Sequence, residues 1–209
     1  VNNETKGAGG MDLSRRDLLK VAVAGLLAGI AAPVFLCLSS SPAAVKNFGG
    51  RKVLIIYYSR SGNTREIASQ IHEMVGGDIL ELKTVEPYPD EYEAVVKQAK
   101  EERKSGFKPP LKTKVENIGS YDVVFVGSPS WWSTIAAPVK TFLSEYDLSG
   151  KTIAPFVTHG GSGLGRSVAD IAALCPNSTV LDGLAVWGEN AKNARNDVSA
   201  WLRGLGMKE

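Results

Sequence analysis

From residue 51 to 206, short apolar runs alternate with segments whose apolar residues return every three or four positions. The runs at 52–58, 78–84, 121–127, 152–158 and 179–186 predict five strands. The segments at 64–75, 90–105, 137–146, 164–174 and 190–205 predict five helices. Val123-Val124-Phe125-Val126 is apolar throughout, which suits a central parallel strand covered on both faces. Ile67, Ala68, Ile71 and Val75 share one face of the first helix. Tyr92, Val95, Val96 and Ala99 share one face of the second. The opposite face of that second helix, with Lys97, Lys100, Glu101, Glu102, Arg103 and Lys104, reads as solvated. Pro87, Pro89 and the pair Pro109-Pro110 break the chain around it. Strand–helix alternation of this kind predicts an α/β domain, doubly wound, with a five-stranded parallel sheet and helices on both faces.

The first 44 residues follow a different pattern. Arg15-Arg16 and Leu18-Leu19-Lys20 precede an apolar stretch at 21–38, and small residues follow at 39–44. That order predicts a signal peptide, and the paired arginines resemble a twin-arginine export signal. Cleavage is expected near Ala43. An uncleaved N-terminal anchor is the competing reading, because spanning a bilayer takes about 20 apolar residues. Leu36 before Cys37 is too bulky for a lipid-attachment site. The domain is therefore expected over 45–209, in a protein exported to the periplasm or cell envelope. Without the leader it holds 20 basic and 19 acidic residues, a net charge of about +1. No nucleic-acid partner is expected from that balance, and contact with a membrane is expected only through a retained leader. Cys175 is its one cysteine, so no internal disulfide can form, and no His or Cys spacing suggests a metal. His72 reads as a surface residue of the first helix.

Candidate chemistry lies in three loops that follow strands, and ligands of open parallel sheets sit on that rim. Ser59-Arg60-Ser61-Gly62-Asn63-Thr64 joins the first strand to the first helix. A helix start offers unpaired amides and partial positive charge, which suits a phosphate. Walker A is excluded because no Lys follows Gly62, and the dinucleotide pattern because the loop has one glycine. A receiver domain would carry an Asp where Tyr57, Tyr58 and Ser59 stand. One phosphate or an ordinary capped turn remains. The second loop is Gly127-Ser128-Pro129-Ser130-Trp131-Trp132-Ser133-Thr134. Neighbouring loop side chains diverge, so at least one tryptophan is exposed or meets a ligand; a flat aromatic ligand would give both a use. The third is Thr158-His159-Gly160-Gly161-Ser162-Gly163, which fails the G-x-S-x-G nucleophile pattern.

The first loop resembles the [ST]-x-[ST]-G-x-T phosphate loop of the flavodoxin family. Gly127-x-Pro129-x-Trp131-Trp132, followed by Pro138-Val139 and Phe142-Leu143, is similar to the flavin loop of short flavodoxin-like proteins. The resemblance covers about 51–206. It implies sheet order 2-1-3-4-5 and non-covalent FMN as cofactor. It implies that Ser59, Ser61, Asn63 and Thr64, with backbone N–H groups from Arg60 through Gly62 to Thr64, hold the phosphate. Pro129, Ser130, Trp131 and Trp132 would flank one side of the ring, and Thr158, His159, Gly160, Gly161 and Gly163 the other. Arg60 either adds charge or points to solvent, and His159 either approaches the ring or is a solvated loop residue. Electron transfer through FMN follows, with a redox protein or small-molecule acceptor as partner. The near-neutral charge departs from the acidic surface usual in the family's carriers, which keeps an NAD(P)H:quinone or small-molecule reductase open. A flavin-binding module without turnover is the third reading. Twin-arginine export moves folded proteins, so leader and cofactor are consistent with each other.

Overall fold

The structure, a computed structural model, describes residues 50–207. The expected leader at 1–44, with Arg15, Arg16 and Cys37, lies outside the described residues. The elements run β1 (Val53–Tyr57), α1 (Asn63–Val75), β2 (Asp78–Glu81), α2 (Tyr92–Ser105), β3 (Val123–Trp131), β4 (Thr134–Ile135), α3 (Ala137–Glu145), β5 (Thr152–His159), α4 (Ser167–Leu174), β6 (Thr179–Val180), β7 (Leu184–Trp187) and α5 (Arg195–Gly204).

The parallel sheet has the order β2-β1-β3-β5-β6, with β7 continuing the β6 edge along β5. Counting β6 and β7 as one interrupted strand, this is the expected 2-1-3-4-5 order. The fifth strand breaks at Leu181-Asp182-Gly183, where Asp and Gly favour a turn over the ladder. The third strand runs longer than expected. Ser128 and Pro129 stay paired to Val157 and Thr158 of β5, and Ser130 and Trp131 pair antiparallel with β4. The expected 127–134 loop is thus a strand end and a tight hairpin. Helix α4 starts at Ser167 rather than 164, because Gly165 takes a left-handed φ of 50° and the Arg166 amide bonds the Ser133 carbonyl at 2.8 Å. The final helix opens with a 3₁₀ segment, Gly188–Asn193, before α5.

Alternation along β1 divides the interior into two cores. Val53, Ile55 and Tyr57 face α1 and α5, packing with Ile67, Ile71, Val198 and Leu202. Leu54, Ile56 and Tyr58 face the other side, with Val139 and Phe142 of α3 and Ile171 of α4. Cys175 is buried in that second core, and burial pushes its thiol upward, as suits a packing residue. Phe125, Phe142 and Phe156 are fully buried, each adding about 1.5–3 kcal/mol. Helix α2 contributes to neither core, although Val95 and Ala99 are buried. Their cover lies on the rim of the sheet.

Candidate functional site

At the carboxyl ends of β1, β3, β5 and β7 lies a cavity of about 670 Å³. That volume falls within the range of small-molecule sites. All three expected loops reach it. Arg60, Ser61 and Asn63 line one end, and Pro129, Ser130, Trp131 and Trp132 one wall. Thr158, His159, Gly160 and Gly161 line another. Ser59, Gly62, Thr64 and Gly163 do not. The Ser59 hydroxyl accepts the Gly62 amide at 3.1 Å, and the Thr64 and Thr158 hydroxyls share a hydrogen bond of 2.7 Å. The Ser59 and Thr64 side chains thus brace the loop without lining the cavity.

The first intrahelical bond of α1 runs from the Glu66 amide to the Gly62 carbonyl at 2.9 Å. The amides of Asn63, Thr64 and Arg65 precede it, so the helix has no internal acceptors for them. Arg60 does not point to open solvent. Its guanidinium donates to the Asp90 carbonyl at 2.7 Å and sits 5.7 Å from the Tyr92 ring centre. That ties the loop to the start of α2. Across the cavity, Gly188 makes room for Asn63: a Cβ there would lie 2.7 Å from the Asn63 amide nitrogen.

The tryptophan wall is a strained turn. Trp132 and Ser133 have φ of 53° and 60°, the left-handed pair of a two-residue hairpin. Asn-Gly is the usual choice there, and each residue with a Cβ costs roughly 1–2 kcal/mol. The start of α4 holds the turn in place. The Arg166 amide binds the Ser133 carbonyl, and the Thr134 hydroxyl donates to the Asp170 carboxylate. Arg166 also pairs with Asp170 at 3.2 Å. Trp132 is 43% exposed; its indole N–H reaches the Val96 carbonyl at 3.3 Å, and Lys100 lies 5.4 Å from its ring centre. Trp131 instead packs edge-on against Tyr58 and Tyr88. One tryptophan is packed and one half-exposed, and both line the cavity.

Gly165 is the close point of this arrangement, since a Cβ would fall 2.4 Å from the Ser133 carbonyl oxygen. Gly163, at a similar φ of 59°, has open space around it. Gly165→Ala is therefore expected to weaken ligand binding by about tenfold or more, because the hairpin must shift, whereas Gly163→Ala pays only for the φ. Parallel flavin titrations and thermal melts check this. Equal losses in the two variants would show that backbone strain alone is at work.

On the third loop, His159 Nδ1 accepts the Gly161 amide at 3.0 Å. Its ring meets Trp187 edge to face at 5.6 Å. The Ser130 and Ser162 hydroxyls, 2.7 Å apart, join this loop to the hairpin. Trp187, Gly188 and Glu189 complete the lining together with Tyr92, Val95, Val96 and Ala99 of α2. The sequence pattern puts these four α2 residues on one face of the helix, and that face lines the cavity. Trp187 follows the in–out alternation of Leu184, Ala185 and Val186, and its outward place was readable from that period.

A family model described as Flavodoxin matches residues 52–205. The chain belongs to the flavodoxin family. Among solved structures it is similar to a candidate flavoprotein from Bacteroides eggerthii, at 31% identity and a TM-score of 0.67, covering 76% of this chain and 99% of that one. A Lactobacillus acidophilus flavoprotein in complex with FMN is 25% identical with a TM-score of 0.59, covering 68% of this chain and 97% of that one. An NAD(P)H dehydrogenase (quinone) from Cupriavidus metallidurans is 30% identical over 123 residues, which is 53% of this chain. The match spans 59% of that enzyme's length. The family assignment agrees with the resemblance carried by Ser59–Thr64 and the tryptophan hairpin.

Tyr58, beneath the tryptophan wall, gives the fold a measurable pH response. Burial pushes its hydroxyl from 10.0 up to about 12; Arg60 opposes this, and Glu102 and Glu81 reinforce it. The folded state thus holds this proton more tightly than the unfolded chain. Its contribution to stability is complete below pH 10 and is lost as pH rises towards 12. Urea midpoints are expected to fall over that window, less steeply in Tyr58→Phe. An equally steep fall in the variant would count against this assignment.

Proposed function

We propose that this chain binds FMN non-covalently in the cavity and passes electrons through it. The carrying observation is convergence: the amide-bearing start of α1 and two aromatic-lined loops meet around one cavity of ligand size. The family match and the FMN-bound Lactobacillus acidophilus relative support the reading. Ser61, Asn63 and the first amides of α1 are the groups suited to the phosphate. Trp132, Trp187 and the backbone of Gly160 and Gly161 are suited to the flat ring. Bound FMN would supply reversible acceptance of electrons. The protein's part is to bind it, orient it and exclude water, and the aromatic and α2 walls disfavour added negative charge on a buried ring.

A reductase acting on a quinone or other small acceptor is the second reading. It is favoured by the wall of Tyr92, Val95, Val96 and Ala99, an apolar surface on the same cavity as the three loops. The Cupriavidus metallidurans relative and the near-neutral charge lean the same way.

The purified protein is expected to hold one FMN per chain; a colourless protein that takes up no added FMN sinks the proposal. Two separated one-electron steps in a redox titration favour the carrier. NAD(P)H oxidation on adding quinone favours the reductase, and silence in both leaves a flavin-binding module. We also propose export through the leader, on the strength of Arg15-Arg16 and the apolar stretch behind them. With both arginines changed to lysine, the protein is expected to stay in the cytoplasm, and undiminished export would overturn the twin-arginine route.

A further inference from the structure

Behind the tryptophan hairpin lie Tyr88 and Glu102, which are not part of the cavity lining. Trp131 lines the cavity on one side and touches two tyrosines on the other. Its ring centre is 5.0 Å from that of Tyr88 and 5.5 Å from that of Tyr58, and the tyrosines are 5.8 Å apart. The Tyr88 hydroxyl donates to Glu102 Oε2 at 2.7 Å. Glu102 is only 6% exposed; its other oxygen accepts the Gln98 side-chain amide at 2.9 Å, and no lysine or arginine among the described residues forms an ion pair with it. Among the described residues, no hydrogen bond joins the Tyr58 hydroxyl to an acceptor, so Tyr88 is the tyrosine with a base in reach.

Tyrosine gives up an electron readily only when its proton leaves at the same time. The leaving proton needs an acceptor within hydrogen-bond distance, about 2.6–3.2 Å. Tryptophan can be oxidised without such a partner. A tryptophan at a cavity wall, against a tyrosine hydrogen-bonded to a buried carboxylate, is therefore a one-way path for an electron vacancy.

We propose that Trp131, Tyr88 and Glu102 form a relay that draws a one-electron oxidising equivalent out of the cavity and holds it on Tyr88. A small oxidising free radical that enters the cavity takes an electron from the Trp131 indole and becomes its closed-shell anion. Tyr88 returns an electron to Trp131, and its hydroxyl proton passes to Glu102. The products are the reduced oxidant, restored Trp131, a neutral Tyr88 radical and a protonated Glu102. The relay would protect the cavity from one-electron by-products of redox chemistry. It rests on aromatic packing and not on FMN, so either proposal can fail alone.

Pulse radiolysis with the azide radical, which oxidises tryptophan selectively, tests it on the purified chain. Transient absorption is expected to show tryptophanyl decay matched by tyrosyl growth, at a rate independent of protein concentration. Tyr88→Phe is expected to abolish the growth while leaving the initial tryptophan signal. Glu102→Gln, which keeps size but replaces one of the two acceptor oxygens with a donor NH2 and removes the base, is expected to slow it by about tenfold or more. Packing alone would let these variants change stability without changing the transfer rate. Near-UV circular dichroism selects folded protein for comparison; if Tyr88→Phe does not fold, Glu102→Gln decides. Absence of tyrosyl growth in the parent, undiminished growth in Tyr88→Phe, or a smaller slowing in Glu102→Gln overturns the relay.

Discussion

Ser61→Asp is expected to weaken FMN binding by about 100-fold or more while leaving riboflavin binding almost unchanged. Ser61 is exposed, lines the cavity, and stands two residues before the start of α1. The parent loop offers a hydroxyl and helix amides to an anion. The variant places a carboxylate where a phosphate of about −1.5 to −2 charge would sit. Juxtaposed like charges cost on the order of several kcal/mol, whereas riboflavin has no phosphate to repel. Fluorescence titration of both flavins against both proteins reads the difference. If FMN and riboflavin weaken together, the phosphate does not sit at this loop.

The second large effect belongs to the sheet. Gly127→Ala is expected to destabilise the fold by about 3 kcal/mol and to weaken flavin binding with it. A Cβ at Gly127 would lie 2.2 Å from Phe156 Cζ and 2.7 Å from Tyr57 Cβ. Phe156 is fully buried and pairs with Gly127 across β3 and β5, so its ring has no free space to enter. Overpacking of this kind typically costs 1–3 kcal/mol, and here a backbone shift would carry on through Ser128 and Pro129 into the hairpin. Phe156→Leu in the same chain should restore part of the loss. A urea-unfolding double-mutant cycle measures that coupling, and simple additivity would show that the ring is not the obstacle.

Most of the fold was legible because β1, β3 and β5 carry apolar residues on both faces and the helices between them keep a 3.6-residue period. Ser59–Thr64 was legible because few residue types make a tight strand-to-helix turn that presents amides. The hairpin at Trp132-Ser133 was not. Its turn has none of the glycine or asparagine that marks such geometry, and contacts from Gly165, Arg166 and Asp170, more than 30 positions away, hold it. Periodicity reported correctly that α2 has an apolar face, but a period does not say whether that face meets protein or ligand. The α2 lining was missed for that reason. Trp187 was missed because the fifth strand was taken to end one residue early.

The separation of α2 from both cores has a consequence for how such a protein diversifies. Residues in the cores are constrained by folding, and those at Ser59–Thr64 by the anion they suit. Val95, Val96 and Ala99 belong to neither core and line the cavity, although Val95 and Ala99 are themselves buried. Exchanges there alter which molecules fit with little penalty to the sheet. A single helix can thus be rewritten to change what the cavity admits without rewriting the sheet.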